Sequence, residues 1–548
     1  MNRKYFERDS SHLKTTPFGI FTDQAGYFPE SEKKAVLPFA CDSFEITGLN
    51  GKVFFSGRTE SFGFDSASGD EVCIADFSGL KEEGCFRVSA GGRISASFRI
   101  GKNVYDGVLR DTAKAFYFLR CGCGLEKKHA GIYSHAKCHC APARLFDDPG
   151  TKLDVCGGWH DAGDYGRYVT AGACAAGHLL YACKLFPKVF GKLELNIPES
   201  PLPDLLAEIK YELDWLLSMQ RADGAVYHKA TTMQHAPFVM PEDDKAQMFV
   251  FHVSSMATAD LAAVAALASG IYRPFDSEYS DRLAEAAERA IIWLENNPEF
   301  IGFVNPPGCN TGGYYERDAD SNTFWAYAEL YALTGREHYH KSMLALADKG
   351  FPITALGYGE LGGLGVLAYL LCEREKDEDT VRKFKAAVSE RAEELKQLSE
   401  DCGYGVAMFP IDYCWGSSMN VMKNGMQLAM NDIINGDSSS RKYAERQLHY
   451  LLGTNALGIS YVTGTGEFRC NYPHLRPAFA DGIEECIPGM VAGGANRRPG
   501  DPYAMEVIPE GTPPMKCFAD DASSYSLNEI TIYWNSPTVF LLGYILDR

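Results

Sequence analysis

The chain has 548 residues, of which 46% are apolar and 23% charged, and its formal net charge is −19. These proportions are typical of a folded protein, and the length exceeds what one compact core accommodates, so we expect two or more domains. The negative charge argues against nucleic acid or an anionic membrane as a partner, because both are polyanions. We expect a monomer that acts on a neutral or cationic substrate.

The N-terminal segment, residues 1–10, is polar and has no apolar stretch of the kind found in signal peptides. It predicts a cytoplasmic protein, or a secreted one if a leader was trimmed from the chain. The 17 cysteines are an odd number and are scattered, which favours reduced thiols over a full disulfide framework. No uninterrupted apolar run reaches transmembrane length.

Short β-strands are predicted within residues 1–102. Residues 93–100 alternate strictly, with Ile94, Phe98 and Ile100 on one side together with Ala96. Other apolar runs in this segment are bounded by turns that contain glycine, and helical periodicity is absent. The pattern predicts a small β-sandwich.

Helical periodicity begins at about residue 103. Apolar residues recur every three or four positions from Leu205 to Leu217 and from Leu283 to Leu294. Helices are predicted at residues 108–120, 168–185, 205–217, 255–270, 283–294, 322–335, 340–348, 361–373, 378–399, 418–434, 440–452 and 527–546. So many helices in one domain suggest an α/α barrel or a large solenoid, and no short sequence repeat favours the solenoid.

Two carboxylates, Asp161 and Asp164, stand three residues apart in the glycine-rich segment 157–166. If this loop runs into a helix that starts near Tyr168, both lie close together near its N-terminus. One could then hold a water molecule while the other removes its proton. The alternatives are a helix cap and a Ca²⁺-binding loop.

A single carboxylate, Glu529, lies near the C-terminus and is followed by Ile530, Ile532 and Trp534. Partly apolar surroundings raise the pKa of a carboxyl group and keep its proton available near neutral pH. The alternative is a glutamate in the first turn of a helix, where its negative charge interacts favourably with the helix dipole. With the aspartates, Glu529 would complete the equipment for glycoside hydrolysis, an acid for the leaving oxygen and a base for water.

Cysteine and histidine residues cluster between positions 121 and 160. Four of them would form a tetrahedral, structural Zn²⁺ site, namely Cys121, Cys138, His139 and His160. The alternative is reduced cysteines without metal. Four further residues leave the choice of ligands open: Cys123, His129, His135 and Cys140.

These motifs, in this order, resemble glycoside hydrolase family 9, which contains many endoglucanases. The C-terminal signature of the family is filled at every position by Phe518, Asp520, Tyr525, Glu529, Thr531, Asn535 and Ser536. The resemblance implies that Glu529 is the general acid, Asp164 the general base and Asp161 its partner in holding water. It also implies that His474 and Arg476 bind substrate, although Phe468 and Leu475 depart from the family pattern.

The resemblance covers nearly the whole chain and implies its fold. Residues 23–27 look like the opening of the immunoglobulin-like domain that precedes many family 9 catalytic domains. We therefore expect an immunoglobulin-like β-sandwich at residues 1–102 and an (α/α)6 barrel at residues 103–548. Zinc-bearing members match the four Cys/His residues above, and many members bind Ca²⁺. The calcium candidates here are Glu242, Asp243, Asp244 and Asp260.

The expected activity is inverting hydrolysis of β-1,4-glucosidic bonds in cellulose-type glucans or cello-oligosaccharides, by an endo-β-1,4-glucanase. Inversion needs the acid and base ~6.5–9.5 Å apart, so Asp164 and Glu529 should converge across one groove. Candidate platforms for stacking on sugar rings are Trp159, Tyr165, Trp325, Trp415 and Tyr472. Two alternatives stay open: an exo-acting β-glucosidase or glucosaminidase on short oligosaccharides, and a carbohydrate-binding protein without catalysis.

Overall fold

The computed structural model describes residues 16–548. The polar segment on which the signal-peptide prediction depends, residues 1–10, lies outside the described residues. Within them, the strands are β1 Gly26–Tyr27, β2 Lys34–Leu37, β3 Ser43–Gly48, β4 Val53–Arg58, β5 Glu60–Asp65, β6 Asp70–Asp76, β7 Gly84–Ala90, β8 Arg93–Ile94, β9 Phe98–Ile100, β10 Ala143–Leu145, β11 Lys152–Leu153, β12 Arg167–Tyr168, β13 Lys229–Thr231 and β14 Phe249–Val250.

The α-helices of the described residues are also numbered in chain order. They are α1 Asp106–Phe118, α2 Lys127–Ala130, α3 Val169–Leu185, α4 Pro187–Phe190, α5 Asp204–Ser218, α6 Ser255–Tyr272, α7 Ser277–Asn296, α8 Asp320–Thr334, α9 Glu337–Ala347, α10 Gly362–Leu371, α11 Glu378–Glu400, α12 Ser417–Asn435, α13 Arg441–Leu451, α14 Arg476–Ala480, α15 Pro502–Val507, α16 Tyr525–Asn528 and α17 Ile532–Leu546.

The chain forms two compact units. The first comprises residues 392–432, residues 437–548 and the described part of residues 1–115, and the second comprises residues 116–391 and 433–436. These units combine segments that are distant in sequence. The predicted domain boundary between residues 102 and 103 stays a prediction.

The first unit contains the predicted β-sandwich. One sheet has the strand order β1-β9-β7-β3-β4, with β8 also paired to β7, and the other has the order β2-β6-β5. In β3, Phe44 and Ile46 are buried while Glu45 is exposed, which is the alternation of a strand with one face on a core. Ile94 departs from the predicted alternation and is 44% exposed, because β8 folds back on β7 and ends before β9 begins.

The second unit is built of buried helices covered by amphipathic ones. α6 packs against α3, α7 and α8, and α8 packs against α9 and α10. In α7, Leu283, Ala287 and Ile291 share the buried face, as the periodicity predicts. α6 is apolar on all sides, and among residues 16–548 it alone has the length and hydropathy of a membrane span. However, 89% of it is buried inside the protein, as in a core helix.

The predicted helix at residues 527–546 is broken, so this prediction is wrong in its first turn. α16 ends at Asn528 and α17 begins at Ile532. Glu529, between them, has φ −65° and ψ 159°, which is extended backbone. The interruption coincides with two β-bridges, from Glu529 to His474 and from Ile530 to Ala492. Backbone pairing with distant segments therefore replaces helical hydrogen bonds here, and Glu529 is not a first-turn residue of α17.

Candidate active site

The Asp161–Asp164 loop, residues 157–166, is closed by its own backbone. The Asp161 N–H donates to the Gly166 carbonyl at 2.9 Å, and the Gly166 N–H donates to Asp164 Oδ2 at 3.1 Å. Both aspartates are buried, with 1% and 6% of their surface exposed. The loop continues into β12, and no side chain caps the N-terminus of α3. The helix-cap alternative is therefore wrong.

Two tyrosines contact the aspartates. The Tyr168 hydroxyl donates to Asp164 Oδ2 at 3.3 Å and accepts the Gly312 N–H at 2.9 Å. The Tyr314 hydroxyl donates to Asp161, and the two tyrosine rings lie 4.6 Å apart between centroids. Burial, together with the negative charges of the two aspartates, raises the pKa of Tyr168 well above its ordinary value. Tyr168 therefore stays protonated and remains a hydrogen-bond donor to the carboxylate.

His235 also contacts the Asp164 carboxylate, with its Nδ1 atom 3.3 Å from Asp164 Oδ2. Sequence reasoning missed Tyr314 and His235, and identified Tyr168 only as the expected start of a helix. Tyr314 and Tyr168 lie 153 and 144 positions from the residues that they contact, Asp161 and Gly312. No local spacing could have indicated these contacts.

Glu529 belongs to the first unit, where its backbone is fixed on both sides. Its N–H donates to the Tyr525 carbonyl at 3.3 Å, and its carbonyl accepts the Gly493 N–H at 2.8 Å. Burial raises the pKa of Tyr525, with further contributions from the negative charges of Asp501 and Glu529. Tyr525 therefore stays protonated at neutral pH, and the Glu529 side chain is half-buried.

Asp520, an acidic residue of the C-terminal signature, joins two loops of the first unit. Its carboxylate accepts the backbone N–H groups of Asn471 at 2.7 Å and Tyr472 at 3.0 Å, and the side-chain amide of Asn528 at 3.0 Å. Burial raises the pKa of Asp520, and these hydrogen bonds oppose the rise. Asp520 therefore holds the loop of Tyr472 against the segment that leads into Glu529.

The remaining predicted substrate-binding residues of the first unit lie near Tyr525 or along the same loop. The Trp415 ring lies 5.4 Å from the Tyr525 ring and is 47% exposed, and the His474 ring lies 5.9 Å from Tyr525. Arg476 begins α14 and is 6% exposed, whereas Tyr472 is half-buried. Trp415 and Tyr472 thus have surface on which a sugar could stack.

Three of the predicted stacking platforms belong to the second unit, and for them the prediction is wrong. Trp159 is 1% exposed and donates its indole N–H to Glu208 at 2.9 Å, and Trp325 is 0% exposed and donates to Glu329 at 2.9 Å. Tyr165 is 4% exposed and its hydroxyl donates to a backbone carbonyl at 2.6 Å. These rings pack against protein, so they have no open face for a sugar.

The predicted metal ligands lie together in the second unit. The ligand atoms of Cys121, Cys138, His139 and His160 all fall within 4.8 Å of one another. Two thiols and two imidazoles are the donor set of tetrahedral coordination. Burial lowers the pKa of His160 to about 4, so its imidazole is neutral at pH 7 and keeps a lone pair for a metal ion.

His139 has a supporting carboxylate, as metal-ligating histidines usually do. Its Nε2 atom lies 3.3 Å from Asp244 Oδ2, and its backbone has φ 45°, an unusual conformation for a residue other than glycine. Asp244 was a calcium candidate and instead faces this histidine. Another candidate, Asp260, lies inside α6 and accepts a hydrogen bond from Asn322 at 2.6 Å. The calcium site stays a prediction.

Cys140 and Cys156 are joined as a disulfide, with their Cα atoms 5.1 Å apart. The prediction of reduced thiols is wrong for this pair, whereas the other cysteines of the described residues form no disulfide. The pairing also removes Cys140 from the residues that left the choice of metal ligands open. Cys123 remains a free, half-buried thiol outside the four-residue group.

Comparisons with known proteins agree over nearly the whole chain. The model of glycosyl hydrolase family 9 matches residues 105–542, and that of the cellulase N-terminal Ig-like domain matches residues 16–95. A cellodextrinase from Butyrivibrio fibrisolvens is 44% identical over 96% of this chain and 100% of its own length.

Solved structures give the same result. A single mutant of a thermostable endoglucanase from Alicyclobacillus acidocaldarius has 33% identity and a TM-score of 0.92, covering 97% of this chain and 100% of that one. A zinc-binding triple mutant of a family 9 endoglucanase has 36% identity and a TM-score of 0.89, covering 95% and 100%. The predicted fold class, an (α/α)6 barrel preceded by a small immunoglobulin-like β-sandwich, is confirmed.

Proposed function

Because this chain belongs to glycosyl hydrolase family 9, we propose that it hydrolyses β-1,4-glucosidic bonds of cello-oligosaccharides with inversion at the anomeric carbon. The general activity, hydrolysis of cellulose or cello-oligosaccharides, follows from the family and from relatives named cellodextrinase and endoglucanase. The cellodextrinase, at 44% identity over its full length, favours short soluble chains over the polymer as substrate.

In the proposed reaction, Asp164 is the general base. This role is supported by two hydrogen bonds: the Gly166 N–H and the Tyr168 hydroxyl both donate to Asp164 Oδ2. Such donors stabilise the ionised carboxylate and fix its direction. Asp164 takes a proton from water while Asp161, held by Tyr314, helps to orient that water.

The general acid is assigned to Glu529. Its carboxyl group transfers a proton to the glycosidic oxygen as the bond from that oxygen to the anomeric carbon breaks. The water oxygen forms the new bond to the same carbon from the opposite face, so the product has the inverted configuration. The water proton ends on Asp164, and the proton of Glu529 ends on the leaving sugar.

The decisive experiment is product analysis on cellopentaose, with the anomeric configuration followed by NMR during the first turnovers. We expect the α-anomer to appear first at the newly formed reducing end, since the substrate bond is β. Cellobiose with cellotriose would indicate internal cleavage, whereas glucose as the first product would indicate exo action. Initial release of the β-anomer would contradict the inverting mechanism.

We also propose that the Cys/His group holds a structural zinc ion. The support is its donor set of two thiols and two imidazoles, the Asp244 contact to His139, and the zinc-binding triple mutant of a family 9 endoglucanase. With four protein ligands the ion would have no open position for water, so it would stabilise the fold and would not act on substrate.

Loss of this ion is expected to lower the melting temperature more than the catalytic rate. A Cys138→Ser variant should lose bound zinc and melt several degrees lower, because a structural metal contributes its binding free energy to folding. Cys123→Ser is the matched control and should keep both zinc and melting temperature. Zinc content by mass spectrometry and thermal melting by circular dichroism test this, and a wild-type protein without zinc would contradict it.

A further inference from the structure

Lys229, in β13, is a buried lysine whose ammonium group is held by one neighbouring loop, residues 305–314. The Nζ atom donates to Asn305 Oδ1 at 2.7 Å, to the Gly312 carbonyl at 2.7 Å and to Thr311 Oγ1 at 3.0 Å. The side chain is 0% exposed. A fourth, longer contact reaches Cys309 Sγ at 3.7 Å. All four contacts act in protein surroundings without competition from bulk water.

Burial of the Lys229 ammonium group costs the folded state free energy of solvation. Burial lowers the pKa of Lys229 to about 8, and the neighbouring Cys309 and Asp164 offset only part of this effect. The loop is further closed on itself, since Asn305 Nδ2 donates to the Thr311 carbonyl at 2.7 Å. Neutral side chains could close the same loop with less desolvation.

The loop reaches Asp164 through Gly312. This residue gives its carbonyl to Lys229 and its N–H to the Tyr168 hydroxyl, which in turn donates to Asp164 Oδ2. A Cβ atom at position 312 would lie 3.0 Å from the Tyr168 Cζ and hydroxyl oxygen. Only glycine leaves this contact undisturbed, so the position of one peptide fixes the hydroxyl that orients the carboxylate.

A second path leads from the same loop to the same carboxylate oxygen. Asn310 Oδ1 accepts the backbone N–H of His235 at 3.2 Å, and His235 Nδ1 lies 3.3 Å from Asp164 Oδ2. The His235 side chain is 39% exposed, so this contact is weaker than the buried one through Tyr168. These two side-chain contacts of Asp164, from Tyr168 and His235, nevertheless depend on where the 305–314 loop lies.

We propose that Lys229 is a positioning residue for glycoside hydrolysis, which holds the 305–314 loop so that Tyr168 and His235 orient Asp164 as base. This role depends on the proposed function of Asp164. Lys229 does not touch the reacting atoms, and it acts through the hydrogen bonds of Gly312 and Asn310. Its removal should therefore impair the catalytic step and leave ground-state binding of the sugar nearly intact.

The chain offers a matched control in Lys33. This lysine is also 0% exposed, its Nζ atom donates to the carbonyls of Pro29 at 2.8 Å and Ser31 at 2.9 Å, and burial lowers its pKa to about 8. It lies next to β2 of the β-sandwich, and its ammonium group is held by backbone carbonyls of the first unit. Lys33→Met and Lys229→Met therefore remove the same kind of buried ammonium group from two different places.

The experiment measures kcat, KM and melting temperature on cellopentaose for both variants. We expect both to melt at lower temperature, but only Lys229→Met to lower kcat, by roughly tenfold to a hundredfold, with KM changed less than about threefold. An unchanged kcat in folded Lys229→Met, or an equal loss in Lys33→Met, would overturn the inference.

Two further variants keep the test informative. Gly312→Ala retains the ammonium group but crowds Tyr168, so it should lower kcat even if Lys229→Met fails to fold, and a normal kcat in folded Gly312→Ala would overturn the inference. Asp164→Asn is measured in parallel. If it is inactive while Lys229→Met is fully active, only the role of Lys229 falls. If Asp164→Asn is active, the assignment of the base falls and the role of Lys229 falls with it.

Discussion

Replacement of Glu529 by glutamine is expected to lower kcat on cellopentaose by about 10²–10⁴-fold, the range that general acid catalysis contributes. Glutamine has the shape of the protonated glutamic acid but cannot give a proton to the glycosidic oxygen. A sugar alkoxide is then the leaving group, and its departure is slow. Steady-state kinetics with quantified oligosaccharide products measure the effect.

The fold should tolerate this substitution. The backbone contacts of Glu529, to the Tyr525 carbonyl and from the Gly493 N–H, do not involve its side chain. The residue is half-buried in extended backbone between α16 and α17, where glutamine fits the same conformation. We therefore expect an unchanged melting curve, which separates lost chemistry from lost structure.

The leaving group of the substrate provides the control. An aryl cellobioside with a dinitrophenolate leaving group needs no proton, so Glu529→Gln should lose far less activity on it than on cellopentaose. The alkaline limb of the pH profile should also disappear, because that limb reports deprotonation of the acid. Equal losses on both substrates would show that Glu529 is not the acid.

The long amphipathic helices could be predicted from sequence because each one signals its buried face locally. The apolar positions of α7, for example, recur with the helical period and end before Pro298. The break at Glu529 could not be predicted in this way. Residues 527–546 remain apolar and compatible with a helix, and the interruption is set by backbone pairing to His474 and Ala492.

In the candidate site, too, some features can be predicted from local sequence and others are set by distant contacts. The aspartate pair and the Cys/His group were visible because their members lie close in sequence and have chemically distinctive side chains. The role of Lys229 could not be predicted in this way, since the residues that it holds begin 76 positions later in the sequence and give no spacing signal. The buried Trp159 and Trp325 were misread as sugar platforms because composition does not tell which aromatic faces the core covers.

Replacement of Asp164 by asparagine is expected to abolish measurable hydrolysis of both cellopentaose and the activated aryl cellobioside. Asparagine keeps an oxygen that can accept from the Gly166 N–H and the Tyr168 hydroxyl, so the loop should retain its shape. It cannot take a proton from water, and the attack on the anomeric carbon needs that step whatever the leaving group. Loss on both substrates therefore distinguishes the base from the acid.

Azide provides the positive test, because it is a nucleophile that needs no base. Added azide should restore turnover of the activated substrate by Asp164→Asn and yield a glycosyl azide of inverted configuration, identified by NMR. Asp161→Asn is the matched variant within the same loop. It keeps the proton acceptor and loses only the charge beside the water, so its kcat should fall less than that of Asp164→Asn. A larger loss in Asp161→Asn than in Asp164→Asn would exchange the two roles.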